Sequence, residues 1–285
     1  MVQVHNFAYG LLNPGLAYLV SCLGCFLGLE CAQRARAVEG SSRARWLLLS
    51  AVSIGVTGIW TMHFIAMLGF TVNGQVIQYN IPVTILSMLI AVAVVAVGLF
   101  IVGFGDEGLR PLLIGGTILG VGVAGMHYMG MYAMRMPDTI HWNVPLVILS
   151  LIIAVVAGTA ALWAALRLHG GTPVLLGAAL VMGVAVSGMH YTGMAALHVY
   201  SAPGKGMLSM GSGVGATSFL LPLILGIGVL TFLMTAIVTL APSPEEIRED
   251  AALMERINTL SKNLDEAPRH RAPSGGTPHR WLLPY

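Results

Sequence analysis

Of the 285 residues, 56% are hydrophobic and only 9% charged, and the mean hydropathy is +0.81. That is far too apolar for a chain whose surface faces water on all sides. The net charge of +2 comes with no basic patch interleaved with aromatics, which excludes a nucleic-acid partner.

The composition is that of an all-α integral membrane protein. About 20 apolar residues cross a hydrocarbon core of roughly 30 Å, and seven such runs occur, at 14–31, 46–70, 81–103, 111–134, 144–166, 173–200 and 218–240. The lipid bilayer is thus the first expected partner. Helices and closed barrels alone satisfy the backbone in lipid, and these runs lack the period-two alternation of barrel strands.

Residues 1–13 read as an extracytoplasmic segment. "MVQVHNFAYG" has no basic region and no small-residue cleavage site, so the first span is expected to be retained. That span carries Cys22, Cys25 and Cys31, read either as small hydrophobes or, for Cys22, as a reach toward a metal. The connection at 32–45 holds Arg34, Arg36, Arg43 and Arg45, and Arg110 and Arg167 follow on the same side, whereas Arg135 and Lys205 fall on the other. Basic residues mark the cytoplasmic side. The expected location is the cytoplasmic membrane, with the N-terminus outside and the C-terminus inside.

The third and fifth spans align at an offset of 63: "QYNIPVTILSMLIAVAVVAVGLF" from Gln78 and "HWNVPLVILSLIIAVVAGTAALW" from His141 superpose Asn80, Pro82 and Ser87 on Asn143, Pro145 and Ser150. The even spans repeat as well, through "WTMHFIAM", "GMHYMGM" and "GMHYTGM", which carry His63, His127 and His190. The repeat is a helix pair, with "NPGLAYLVSCLGCFLGL" opening a diverged first copy. Residues 14–240 are therefore three parallel helix hairpins with pseudo-threefold symmetry plus a seventh helix. Glycines in the even spans allow those helices to pack closely about the axis.

Each histidine lies 16 or 17 residues along its span, so at about 1.5 Å per residue all three reach one level in the outer leaflet. Met67, Met131 and Met194 follow their histidines at i+4 and share a face with them, and Met62, Met126 and Met189 precede them. Imidazole with thioether is a soft ligand set suited to copper, and methionine favours Cu(I). Zinc is compatible with three histidines but leaves the methionines unexplained, and haem has only two axial positions for three equivalent ligands. The competing reading is a structural polar layer of hydrogen-bonded histidines. Ionisable groups inside spans nevertheless point to function.

Tyr128 and Tyr191, with Phe64 in the equivalent place, are read either as interfacial packing or as phenols that orient an imidazole. Asn80 and Asn143 are read as helix N-caps or as outer hydrogen bonds to the histidine layer. His5, His141 and His198 also fall on the outer side, with His5 the best additional ligand.

The threefold M-H-[F/Y]-x-x-M unit, the segments "GIWTMHFIAML" and "GMHYTGMAAL" and the opening "NPGLAYLVS" resemble the bacterial MHYT domain, a membrane sensor-type module. The resemblance covers about residues 5–240. It implies copper held by the histidines and methionines near the outer face, and sensing of oxygen, carbon monoxide or nitric oxide. It also adds the tyrosines and the N-terminal histidine to the residues of interest. The three motifs here read MHFI, MHYM and MHYT.

Many such proteins carry a cytoplasmic output enzyme. After Leu240 only 45 residues remain here, fewer than such a domain needs. With no serine-histidine-acid set, paired carboxylates or phosphate loop, the chain is expected not to be an enzyme. The tail, 241–285, is expected to hold one amphipathic helix at about 243–265, capped by Ser243 with Glu246 three residues on. That helix would self-associate, bind a cytoplasmic signalling partner or lie on the membrane. Beyond it a disordered end is expected, with Trp281–Tyr285 either untethered or a short docking element. The leading function is a metal-binding membrane sensor. Copper transport or delivery, which would need soft ligands such as Met88, Cys25 and Met182 along an inward path, and a structural membrane partner are the alternatives.

The orientation is testable by cysteine labelling. Cysteine placed at Asn73 should react with a membrane-impermeant maleimide in intact cells; reaction only after lysis would reverse the topology.

Overall fold

A computed structural model describes residues 4–72, 77–136, 139–200 and 214–266. Among these described residues, seven helices are long and apolar enough to cross a membrane. They are α1 (Leu12–Ala37), α2 (Gly40–Leu68), α3 (Ile81–Phe104), α4 (Leu109–Tyr132), α5 (Val144–Arg167), α6 (Thr172–Ala195) and α7 (Ala216–Leu240).

Short strands, absent from the sequence expectation, join the helices on the N-terminal side. They are β1 (Val4–His5), β2 (Thr71–Val72), β3 (Gln78–Tyr79), β4 (Met134–Arg135), β5 (Thr139–Trp142), β6 (Leu197–Tyr200) and β7 (Val214–Gly215). β1 pairs with β2, β3 with β4 and β5 with β6, all antiparallel, while β7 adds to the free edge of β3. Each repeat is thus a helix hairpin whose open end is zipped by a two-stranded ribbon. Backbone bonds from Asn80 N to Ala133 O at 2.9 Å and from Asn143 N to Ala196 O at 2.8 Å reinforce the closure. Two expected span ends are corrected. The fourth helix stops at Tyr132 and the sixth at Ala195, because Met134–Arg135 and Leu197–Tyr200 leave the helix to pair as strands.

The connection expected at 32–45 is also corrected. α1 runs to Ala37 and α2 begins at Gly40, so the four arginines ride on helix ends rather than in a loop. Arg34 and Arg36 stand in the last turn of α1, where free carbonyls and the helix dipole favour cations. Arg34 is buried, bonded to Glu30 at 2.7 Å and to the Val238 carbonyl of α7 at 2.8 Å, with its guanidinium over Trp46.

Within α2 the stretch Ser53–Thr61 is a π-helix. Thr61 Oγ1 reaches the carbonyl five residues back, at Val56. Such wide turns are rare and gather at functional sites. Here it directly precedes His63 and marks where α1 and α2 touch backbone to backbone. A methyl group at Gly24 would stand 2.7 Å from Gly58 Cα. Ser21 donates to Gly58 O, Ser50 to Gly28 O and Ser53 to Gly24 O at 2.7–3.0 Å.

The tail helix, α8 (Pro244–Glu266), belongs to a separate unit. Leu253, Met254, Ile257 and Leu260 are exposed on it. The expected disordered end and Trp281–Tyr285 lie outside the described residues.

Backbone contact should matter more than the serine bonds. Gly24→Val, which forces α1 from α2, should cost about 1–3 kcal/mol or more. Ser21→Ala should cost about 0.6 kcal/mol, the mean for such bonds in membranes. Thermal unfolding in detergent measures both, and equal losses would contradict the contact argument.

Candidate metal centre

α2, α4 and α6 each deliver one imidazole to a single point. His63, His127 and His190 are buried, each 1% exposed. Their ring centroids form a near-equilateral triangle of 4.9, 4.9 and 5.1 Å, and the rings stand at 81–89° to one another. The Nδ1 atoms converge: His63 to His190 at 3.0 Å and His63 to His127 at 3.1 Å. Among the described residues this group contains no carboxylate.

The outer edges of the rings are fixed by missing side chains. A methyl group on Gly130 would stand 2.5 Å from His63 Nε2, and one on Gly193 would collide with His127 Nε2. Each glycine lies three residues after the histidine of its own helix, so α4 cradles the ring of His63 and α6 that of His127, whereas α2 has Ala66 at the equivalent place. Neither Nε2 has a hydrogen-bond partner.

Three ring nitrogens aimed at one point cannot serve one another fully. A proton on His63 Nδ1 is shared between two acceptors, and His127 must then carry its proton on the unpartnered Nε2. The reverse assignment leaves His63 Nε2–H unpartnered. A cation at the common point engages all three Nδ1 lone pairs at once. Nitrogens about 2.0–2.1 Å from an ion stand roughly 3.3–3.6 Å apart; the bonded pairs here are at 3.0 and 3.1 Å and one ligand atom from each ring lies within 4.8 Å of the other two, so a small readjustment would seat one transition-metal ion.

The six motif methionines, Met62, Met67, Met126, Met131, Met189 and Met194, are all buried in the apolar core. Phe64, Tyr128 and Tyr191 each set a ring edge-on to the adjacent histidine, at 4.7–4.9 Å. The phenols do not orient an imidazole. Tyr128 OH bonds Ser150 Oγ at 2.6 Å, and Tyr191 OH is buried without a partner. Asn80 and Asn143 are N-caps, accepting from Val83 N and Leu146 N. Their side chains are thereby committed to the backbone, not to the histidines. His5 is exposed in β1, and His141 faces His198 across β5 and β6; none of these joins the cluster.

Sequence reasoning missed what supports the site. Trp60 Nε1 donates to Ser87 Oγ at 2.9 Å, so both serines of the repeat anchor an aromatic from the preceding even helix. Above the cluster, Phe70, Val72, Met134, Leu197 and Val199 of the ribbon layer are buried. Buried Tyr79 in β3 has its phenol pushed above the ordinary range by desolvation.

The sequence pattern described as "MHYT: Bacterial signalling protein N terminal repeat" matches at residues 57–116, 120–178 and 183–248, more than half of the chain. The chain belongs to the MHYT family. It is a membrane signalling domain of that family. The family's frame runs from an even helix into the next odd one, grouping α6 with α7, whereas the ribbons close α1 with α2; the threefold arrangement of histidines is common to both. The chain is 39% identical over 193 residues to the bifunctional diguanylate cyclase/cyclic di-GMP phosphodiesterase MucR of Pseudomonas aeruginosa, covering 66% of this chain and 28% of that protein. It is 35% identical over 271 residues to the cyclic di-GMP phosphodiesterase NbdA of the same organism, covering 93% and 34%. It is also 30% identical over 196 residues to the signaling protein YkoW of Bacillus subtilis, covering 66% and 24%. The chain therefore spans about a third or less of the length of these relatives. No solved structure matches it.

The glycine cradle is testable against built-in controls. Gly130→Val and Gly193→Val should displace a histidine ring and cost about 1–3 kcal/mol. Gly125→Ala and Gly188→Ala, whose added methyl meets nothing within 4 Å, should be neutral or stabilising by about 0.5–1 kcal/mol. Thermal unfolding separates the pairs.

Proposed function

We propose that this chain is a membrane sensor in which His63, His127 and His190 hold one copper ion through Nδ1, in the outer leaflet of the cytoplasmic membrane. The observation that carries it is the convergence of three buried Nδ1 atoms, 3.0 and 3.1 Å apart along the two bonded pairs, with no carboxylate in the group. Three neutral nitrogens in an apolar shell favour a softer cation over magnesium or calcium. The buried thioethers of Met62, Met67, Met126, Met131, Met189 and Met194 make the surroundings one in which Cu(I) is preferred. A structural polar layer would spread its hydrogen bonds over partners of every kind. Here Ser187 Oγ and Tyr191 OH stay buried and unpartnered while the imidazoles turn to one another.

The bound ion would supply a Lewis-acidic, redox-active centre for a diatomic gas, or its own binding would be the signal. The residues hold that centre, exclude water from it and tie its occupancy to the spacing of α2, α4 and α6. A change in that spacing is the message, and α8, with its exposed apolar side chains, is the element that would carry it to a cytoplasmic partner or a second copy of the chain. The cyclic di-GMP chemistry named for the relatives supports a signalling output of this class.

Copper stoichiometry tests the reading. Wild type should retain about one copper per chain. His63→Ala, His127→Ala and His190→Ala should each lose most of it, because removing one of three ligands breaks the site, while Met194→Leu should bind with weakened Cu(I) preference. Copper unchanged in all three histidine variants, or none in a monodisperse wild type offered copper, would leave the structural polar layer.

A further inference from the structure

A cavity of about 310 Å³ lies directly beneath the histidine cluster. Ile59, Val123 and Val186 line it, and each stands four residues before one of the three histidines, so the cavity ends about one helical turn below the cluster, whose rings are not part of its wall. From there it descends between α5 and α6, past Ala161 and Ala178, as far as Leu168. Its α5 wall, Ala154 to Ala164, covers roughly 15 Å at 1.5 Å per residue, so the cavity is a narrow slot about one small molecule wide. Small residues make it. Alanine and glycine dominate the α5 wall and recur on α6, where leucine or valine would have closed the gap.

The slot opens sideways to lipid rather than to water. Trp163, Val174 and Val181 on its walls are 47%, 42% and 69% exposed, and all three lie within membrane-spanning helices. The wall carries no charged side chain. On the opposite side of the cluster Phe70, Val72, Tyr79, Met134, Leu197 and Val199 of the ribbon layer are buried, with Arg135 exposed on β4, and the histidines are 1% exposed. Among the described residues, a polar cluster sealed from above is thus met from below by an apolar passage. Water and ions are poor occupants of such a slot, since an apolar cavity stays dry and takes apolar guests such as xenon.

We infer that this slot admits a small, uncharged, lipid-soluble molecule from the bilayer core toward the lower face of the histidine cluster. Ile59, Val123 and Val186 form the threshold it meets last. The slot's capacity to bind such a molecule stands on its own, and only delivery to a metal rests on the copper reading above. The looser α5–α6 seam makes access one-sided in an otherwise threefold domain.

Two measurements separate the two ideas. Purified wild-type protein exposed to pressurised xenon should bind it between α5 and α6, seen as an anomalous peak in crystals. Ala161→Phe and Ala178→Phe, each filling the slot far from the histidines, should abolish that binding. Copper-loaded protein in nanodiscs should bind carbon monoxide, read from its infrared stretch. Either filled variant should retain wild-type copper while associating with carbon monoxide at least tenfold more slowly. No xenon in the slot, or a lipid chain co-purifying in it and excluding xenon, overturns the inference. So does a copper-replete filled variant that binds carbon monoxide at the wild-type rate. A wild type without copper defeats the metal reading alone, and the xenon result still decides the slot.

Discussion

Three buried imidazoles that, among the described residues, have no carboxylate beside them turn to one another, and the rest of the domain follows from that constraint. Each ring must arrive at the same height from a different helix, which demands three copies of one helix in register. Two of them pass so close to a neighbouring helix that glycine is needed there, at Gly130 and Gly193. The pseudo-threefold axis, the zipped ribbons and the cradles at Gly130 and Gly193 are all means of bringing three nitrogens to one point. A single unpartnered buried polar group costs about 1–3 kcal/mol. A cluster that leaves Nε2 atoms bare must recover that from tight packing, or from an ion at its centre.

The arrangement also explains how a small event would be felt widely. The histidine helices pack against their neighbours through glycine and serine rather than through deformable side chains. α1 meets α2 at Gly24 and Gly58, α4 meets α5 at Gly120, and both contacts press backbone against backbone. Packed interiors respond to displacement by shifting whole elements rather than yielding locally. A readjustment of the three nitrogens on binding an ion would therefore be felt as a change in helix positions. The π-helical stretch of α2, Ser53–Thr61, lies just before His63, and such rare wide turns gather at functional sites.

Much of this was legible in the sequence because membrane helices obey few rules and repeats multiply the signal. Span number, the threefold relation and the meeting of His63, His127 and His190 all followed from hydropathy and from a motif at offsets of 64 and 63. The asparagine caps were foreseeable because Asn followed by Pro at the second helical position is a local signature. What could not be read was set by tertiary contact. The ribbons are two to four residues long, and nothing in Met134–Arg135 or Leu197–Tyr200 marks them as strand rather than continuing helix until a partner is beside them. Tyr128 was drawn to the histidine by adjacency, whereas its hydroxyl reaches Ser150 on another helix. Gly130 and Gly193 resembled ordinary small packing residues, although their spacing of three from each histidine was available as a clue. The slot beneath the cluster is a property of what is missing between α5 and α6, and no single residue announces it.

The central claim is that one ion sits among three Nδ1 atoms. X-ray absorption at the copper edge of the purified, copper-loaded protein tests it most directly. The account predicts about three nitrogen scatterers near 2.0 Å, with the outer-shell pattern of imidazole rings, lost together when any one of the histidines is replaced. A first shell made of oxygen, or of sulfur without imidazole, would contradict it.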